Sequence, residues 1–530
     1  MTSPMRSSWH PALAFVLIFV AVFLLHAPLL QLPYFWDEAG YYVPAARDLF
    51  LSGSLIPHTT VSNAHPPLVM AWIALWWKCA GYAPAVARSA MLMIASVSLF
   101  GVFRLAKSVA NTPVAIAATV CTGVYPVFFA QSSLAQVDLA AAGLTLWGLV
   151  AFIEGRWRAT AIWFSLAVLA KETAILALLA LVAWELVGLL TRKTARLRGL
   201  WEASESEYHL ERVLPLLIPV LPLAAWYGYH YARTGYVFGN PEFFRYNVAA
   251  TLNPLRFVLA LMLRLWQTFG YMHLWLLTGG MLLAMWLSPV KDGDIERPRI
   301  SIPVQARFFV VIVAYVVAMA LIGGAVLARY LLPAVPLVII LAVSTLRRRL
   351  RYWPAAVAVV AVAFVVAWFW NPPYGFSPED NLAYRDYVLL HEDVERVLEA
   401  RYPMAHVLTA WPASDELARP WLGYVTRPMQ VVRIEDFSLE QIISAADFRS
   451  NFDVALVFST KYEPAHPMLE RWQEWTEMKR RFFGYERDLP PGAAARILGG
   501  HIVFSEERKG QWVAVIEMQR EEFLNARNQN

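Results

Sequence analysis

Residues 159–190 read ATAIWFSLAVLAKETAILALLALVAWELVGLL, an apolar run interrupted near its middle by Lys171 and Glu172. A basic cluster lies on either side: Arg156 and Arg158 before it, and TRKTARLR at 191–198 after it. Lys and Arg close to membrane spans are retained on the cytoplasmic side. The two clusters must therefore be joined by an even number of crossings, and a single span would leave one of them outside. Two short helices that turn at AKET satisfy both and place Lys171 and Glu172 near the outer face.

Working outward from this segment, the same rule applies to Arg6, to Arg104 with Lys107, to Lys291–Arg299 with Arg307, and to Arg347–Arg351. It predicts helices over about 12–32, 86–106, two across 113–153 turning near AQSS, the pair in 159–190, and then 213–231, 270–289, 308–323, 331–346 and 353–370. The total is about eleven crossings from an inside N-terminus. The stretch Pro11–Leu32 is too long for a signal peptide and no small-x-small cleavage site closes it, so it reads as an uncleaved first helix. Two outer loops are long, 33–85 and 232–269. In the first, PPLVMAWIALWW is too short for a span and reads as an interfacial or re-entrant helix.

The composition agrees with a membrane protein. The 530 residues are 58% hydrophobic and 16% charged, with a mean hydropathy of +0.45, whereas a soluble domain is about half apolar and a quarter charged. The apolar runs approach the roughly 20 residues that span a bilayer as a helix, and barrel strands would be shorter and alternating. The net charge of +5 resides in short clusters between apolar runs, so it reads as a topology signal and not as a nucleic-acid surface. Cys79 and Cys121 are far apart and give no disulfide framework. No Walker or other Gly-rich phosphate loop stands out, which argues against a nucleotide-driven pump or a nucleotide-sugar donor.

After Trp370 the character changes, with NPPYGFSPED at 371–380 as a linker. Strand-like HVLTAWP and DVALVFS alternate with helix-like YVLLHEDVERVLEARY, and HIVFSEE and QWVAVIEMQ form a hairpin around RKG. The expected organisation is thus a polytopic α-helical membrane domain over 1–370 and a soluble α/β domain over 371–530, which an odd number of crossings leaves outside.

Ionisable groups at membrane depth are costly and tend to mark function. YFWDEAGYY places Asp37 and Glu38 directly after the first helix, at the water interface, where partial desolvation raises a carboxyl pKa toward base duty. An acidic pair that merely ends a helix on the outside is the plain alternative. Lys171 with Glu172 reads equally as an ion pair at a helix turn, Arg329 as a snorkelling flank, and His65 as a loop residue.

Four motifs in order change that balance: the acidic DE after the first helix, HPPL at 65–68, Asp138 in SSLAQVDLAA, and ARYLLPAVP at 328–336. Together they make residues 10–370 resemble the bacterial GT-C glycosyltransferases, nearest to the protein O-mannosyltransferase and aminoarabinose transferase branch (family 39 type). The resemblance departs at Ala64 and His65, where the aminoarabinose transferase pattern carries an acidic residue and a lysine, so it implies no metal ligand at that place.

The resemblance implies an inverting glycosyltransferase of the inner membrane. Its donor would be a polyprenyl-phosphate sugar and its acceptor a lipid, protein or glycan on the periplasmic face. Asp37 would be the general base or an acceptor-orienting carboxylate, and Glu38 and Asp138 would hold the acceptor or a divalent cation. The leaving lipid phosphate needs fixed positive groups: Arg329 first, because its planar fork matches phosphate oxygens, with Tyr330 adding a hydroxyl donor and Lys171 and His65 in second rank. The rival from another class is a secondary transporter or channel for a polar solute. Against it, the charged candidates gather at outer loops and helix ends and no inverted repeat is visible. A non-catalytic scaffold for envelope assembly is a third reading.

Overall fold

A computed structural model describes residues 11–191, 208–239, 241, 251–322, 324–464 and 472–519. Arg6, residues 192–198 of the basic run and part of the second long outer loop lie outside the described residues. The 159–190 stretch is two helices, Trp157–Ala170 and Ile175–Thr191, joined by the short turn Glu172–Ala174. Lys171 breaks the first helix by adopting extended backbone, φ −155° and ψ 134°.

The chain divides into two units. One comprises residues up to Leu30, Tyr41–Trp370 and Glu379–Asn381; the other comprises Gln31–Gly40, Asn371–Pro378 and the residues from Leu382 on. The second unit therefore draws ten residues from the first long outer loop.

The first unit is helical. Helix Asp138–Ile153 packs along both Trp157–Ala170 and Pro84–Val109, and the latter also meets Thr112–Val124 and the first helix, Pro11–His26. Among the described residues four helices are long and apolar enough to cross a membrane: Pro11–Leu29, Pro84–Val109, Arg212–Thr234 and Ile302–Leu321. A fifth counts if Thr112–Val124 and Pro126–Ser133, bent by 67°, are one broken span. Tyr125 sits extended before Pro126, the conformation that a following proline ring imposes, and the bend falls there. About eleven crossings are thus not reached by length: Asp138–Ile153, Trp157–Ala170 and Trp353–Phe369 are apolar but have 16, 14 and 17 residues. At 1.5 Å per residue each falls short of about 30 Å.

Two of the loops contain more helix than the sequence reading gave them. The first holds Val43–Ser52 as well as the expected short helix, Leu68–Ala80. The second ends in Pro254–Phe269, started by Asn253, whose side chain accepts from the N–H groups of Leu255 and Arg256. The expected helix over 270–289 is shorter, Leu274–Ala284, because Met272 and His273 take positive φ. The basic cluster after it folds into a small ribbon, β1 (Lys291–Asp292) with β2 (Ile295–Glu296), closed by Arg297 on Asp292.

The second unit carries a five-stranded sheet of β3 (His406–Ala410), β4 (Gln430–Ile434), β5 (Val454–Phe458), β6 (Gly500–Arg508) and β7 (Gln511–Met518), in the order β4-β3-β5-β7-β6. β3 runs parallel to β4 and β5, while β5–β7 and β7–β6 are antiparallel. The expected hairpin is present: Lys509 and Gly510, both at positive φ, turn between the paired Arg508 and Gln511. That pair of conformations matches strand twist in a two-residue loop. Helix Ala383–Arg401 packs on β6 and β7. Residues 34–40 join this unit through aromatic packing. The Trp36 ring lies 5.2 Å from Trp411 and 5.6 Å from Tyr387, and Gly40 is pressed so close to the Trp411 indole that an added Cβ would sit 2.5 Å from Cζ2.

Candidate active site

In the first unit, three segments far apart in sequence converge. Asp138 opens helix 138–153, Lys171 forms the hinge of the 157–191 pair, and Arg329 with Tyr330 sits in the turn Ala328–Leu331. Lys171 Nζ donates to Asp138 Oδ1 at 2.6 Å, and Arg329 Nε lies 3.3 Å from Asp138 Oδ2. The Arg329 fork also donates to Glu379 and, at 2.8 Å, to Gln136 Oε1; Gln136 in turn donates to Glu379 Oε2 at 3.1 Å. The side chains of Lys171, Asp138, Arg329 and Glu379 are all 5% exposed or less. Burial of that kind is tolerable because two cations face two carboxylates, each held by charge-assisted hydrogen bonds.

Tyr330 is the centre of the positive side. Lys171 Nζ stands 4.1 Å from its ring centroid, and the guanidiniums of Arg264 and Arg329 stand at 5.5 and 5.6 Å. The negative face of the ring lets cations gather with less repulsion. Arg264 is fully buried and fixes the backbone that leads into this turn, donating to the carbonyls of Met319 at 3.1 Å and Leu327 at 2.7 Å and to Gln267. The next acid of the linker, Asp380, accepts from Tyr271 Oη at 2.6 Å.

His65 approaches the same hinge one residue on. Its Nδ1 donates to Glu172 Oε2 at 2.8 Å and its ring stacks over Tyr42. Ala64, at positive φ, has its carbonyl held by Trp226 Nε1, which fixes the HPPL segment. Asp37 and Glu38 belong to the second unit. The sequence reading put both at the water interface, but Glu38 is fully buried and its Oε2 accepts from the Phe35 N–H at 2.8 Å, while Asp37 is half-buried.

Of the sequence candidates, then, Asp138, Lys171, Arg329 and Tyr330 meet directly, and His65 reaches the hinge through Glu172. Glu379, Gln136 and Arg264 were not foreseen. Glu379 and Asp380 stand in a Pro-rich linker after the last apolar helix, which ends at Phe369, and nothing local marks them as buried. The second unit holds another buried group, His391, Glu395 and Glu416. There burial, and after it the charge of Glu416, pushes the Glu395 carboxyl well above its usual range.

No known protein-family model matches the sequence, and no curated protein matches it. Solved structures do. ArnT from Cupriavidus metallidurans in the apo state is 15% identical, with 95% of this chain and 98% of that one covered at a TM-score of 0.54. The same protein bound to undecaprenyl phosphate gives 15%, 96%, 98% and 0.54. The archaeal oligosaccharyltransferase AglB from Archaeoglobus fulgidus, in complex with an inhibitory peptide and a dolichol-phosphate, is 13% identical over 98% of this chain and 76% of that one, at 0.45. The fold is that of the GT-C membrane glycosyltransferases, which the sequence motifs resemble. The chain shares its fold with ArnT over 95% of its length.

Proposed function

We propose that this chain is an inner-membrane glycosyltransferase that moves a sugar from a polyprenyl phosphate to a lipid, protein or glycan acceptor on the periplasmic face, inverting the anomeric carbon. The observation that carries the reading is the buried set Lys171, Arg329 and Tyr330 around Asp138, on a fold shared over 96% of its length with an ArnT solved with undecaprenyl phosphate bound. About eleven crossings, the shorter apolar helices included, and a C-terminal domain on the periplasmic side complete this reading.

In the reaction, the bond between the anomeric carbon and the donor phosphate oxygen breaks as the acceptor oxygen bonds to that carbon from the opposite face. Charge builds on the departing phosphate. Arg329 and Lys171 oppose it, and fixed cations in a water-poor site need no reorganisation to do so. Tyr330 adds a hydroxyl donor. Asp138 and Glu379 hold both cations in place before the donor arrives and share them with its phosphate afterwards. Asp37 takes the acceptor proton, an assignment that rests on its sequence motif. Glu38, bound within its own turn, shapes the backbone that carries Asp37, and His65 steadies the Lys171 hinge through Glu172. Holding a divalent cation for the acceptor, the second role the motifs give Glu38 and Asp138, would require each to exchange its present partner. The solute-transporter alternative finds no support in the likenesses named above.

The test is turnover of a polyprenyl-phosphate sugar by the purified full chain in lipid nanodiscs, with binding of a fluorescent polyprenyl phosphate read in parallel. Asp37→Asn is expected to abolish transfer while leaving binding of the phosphate lipid intact. Arg329→Lys is expected to weaken both. Unchanged binding and turnover in Arg329→Lys and Lys171→Ala together would overturn the phosphate assignment.

A further inference from the structure

We propose that His391, Glu395 and Glu416 form a mononuclear divalent-cation site of the zinc class inside the C-terminal α/β domain, a staple between helix Ala383–Arg401 and helix Ala413–Ala418. His391 and Glu395 are four residues apart in HEDVE, the spacing that puts two side chains one above the other on a helix face. Glu416 arrives from the short helix that follows β3. His391 Nδ1 lies 2.7 Å from Glu416 Oε2 and 3.7 Å from Glu395 Oε1, and the three donor atoms fall within 4.8 Å of one another. Two donors on one tetrahedral zinc, with bonds of about 2.0–2.1 Å, stand about 3.3 Å apart. The observed separations bracket that value.

A second observation points the same way. All three side chains are completely buried, and among the described residues neither oxygen of Glu395 and not Oε1 of Glu416 receives a hydrogen bond from any group other than these two carboxyls themselves. Carboxylate oxygens left so in a dry interior are costly. One neutral imidazole, two carboxylates and a doubly charged cation sum to zero, which removes that cost. Mixed nitrogen and oxygen donors suit zinc. The walls are apolar: Tyr387 stacks on the His391 ring at 4.0 Å, and Phe458 meets it edge-on at 4.7 Å. Tyr387 also carries Phe35 and Trp36 against it, at 5.2 and 5.6 Å. The cation would therefore brace, through one aromatic ring, the segment that holds Asp37.

The experiment uses the full chain purified in detergent through a tag without histidines, with no sugar donor present, so it stands or falls apart from the transferase reading. Elemental analysis is expected to find about one zinc per chain in the wild type and less than about a tenth of that in Glu395→Gln. Chelation with EDTA lowers the unfolding temperature of the wild type and leaves that of Glu395→Gln unchanged. X-ray absorption at the zinc edge of the wild type alone, which needs no folded variant, should report one imidazole among oxygen donors. A wild type that holds no metal and ignores EDTA would overturn the proposal in favour of a carboxyl pair sharing a proton. Equal metal in Glu395→Gln, or sulfur or several imidazoles at the edge, would place the ion elsewhere and overturn it as well.

Discussion

The protein buries charge twice, and the two places solve the same problem differently. Around Asp138 the carboxylates have their cations on the chain itself, Lys171 and Arg329, in close ion pairs, even though Asp138 Oδ2 accepts no hydrogen bond among the described residues. Around Glu395 two acids face one base, His391, and among the described residues their remaining oxygens have no donor but each other. A buried acid cluster therefore indicates what it takes: one already balanced by its own cations can lend them to a passing anion, and one short of positive charge is built to receive a cation.

That contrast can be broken by substitution. The largest effect is expected from Arg329→Ala, which leaves Asp138 and Glu379 buried without their guanidinium. Removing one partner of such a group costs about 3–5 kcal/mol, and loss of transition-state charge stabilisation lowers turnover by about 10²–10³-fold. Thermal unfolding and lipid-linked sugar transfer read the two separately. If instead the variant is as stable as the wild type, the balance described for this cluster is wrong.

Lys171→Ala comes next. Asp138 keeps Arg329, so stability falls by about 1–3 kcal/mol, while affinity for the phosphate lipid drops about tenfold, as one charge-assisted contact of roughly 1.4 kcal/mol would give. Arg264→Leu tests positioning. It frees the carbonyls of Met319 and Leu327, and it should lower kcat by more than it raises KM, since the turn bearing Arg329 and Tyr330 loosens while both groups remain. The smallest effect belongs to the other cluster: in EDTA-treated protein, Glu395→Gln should shift the unfolding temperature by less than about 2 °C, because an amide of the same shape replaces a carboxyl that burial already pushes toward its neutral form. A fall as large as that of Arg329→Ala would erase the distinction between the two sites.

Much of this was legible in the sequence because local rules and charge bookkeeping reach far in a membrane protein. The turn at AKET follows from two basic clusters and a broken apolar run, and the RKG hairpin from two alternating segments. Lys171 announced itself as a charge inside an apolar run, while Asp138, Arg329 and Tyr330 came from the motifs that carry the family resemblance. Glu379 did not, since an acid in a Pro-rich linker looks solvated until the chain folds back. Helix Pro254–Phe269 had its signals, Asn253 as cap and Pro254 in the first turn, but its apolar stripe is interrupted by Arg256 and Arg264, both buried. Residues 34–40 have no local reason to join the α/β domain; Trp411 and Tyr387, which hold them there, lie far along the chain. The same distance hides Glu416 from HEDVE.

The contact between Trp36 and Tyr387 spans about 350 positions. At about 5–20 residues per second, translation leaves the first of these rings waiting roughly 20–70 s for the second. During that interval Phe35 and Trp36 have no α/β domain to cover them, so the nascent chain carries an uncovered aromatic segment from its first helix onward. A chaperone or the lipid headgroup region has to shield it until the last third of the polypeptide has been made.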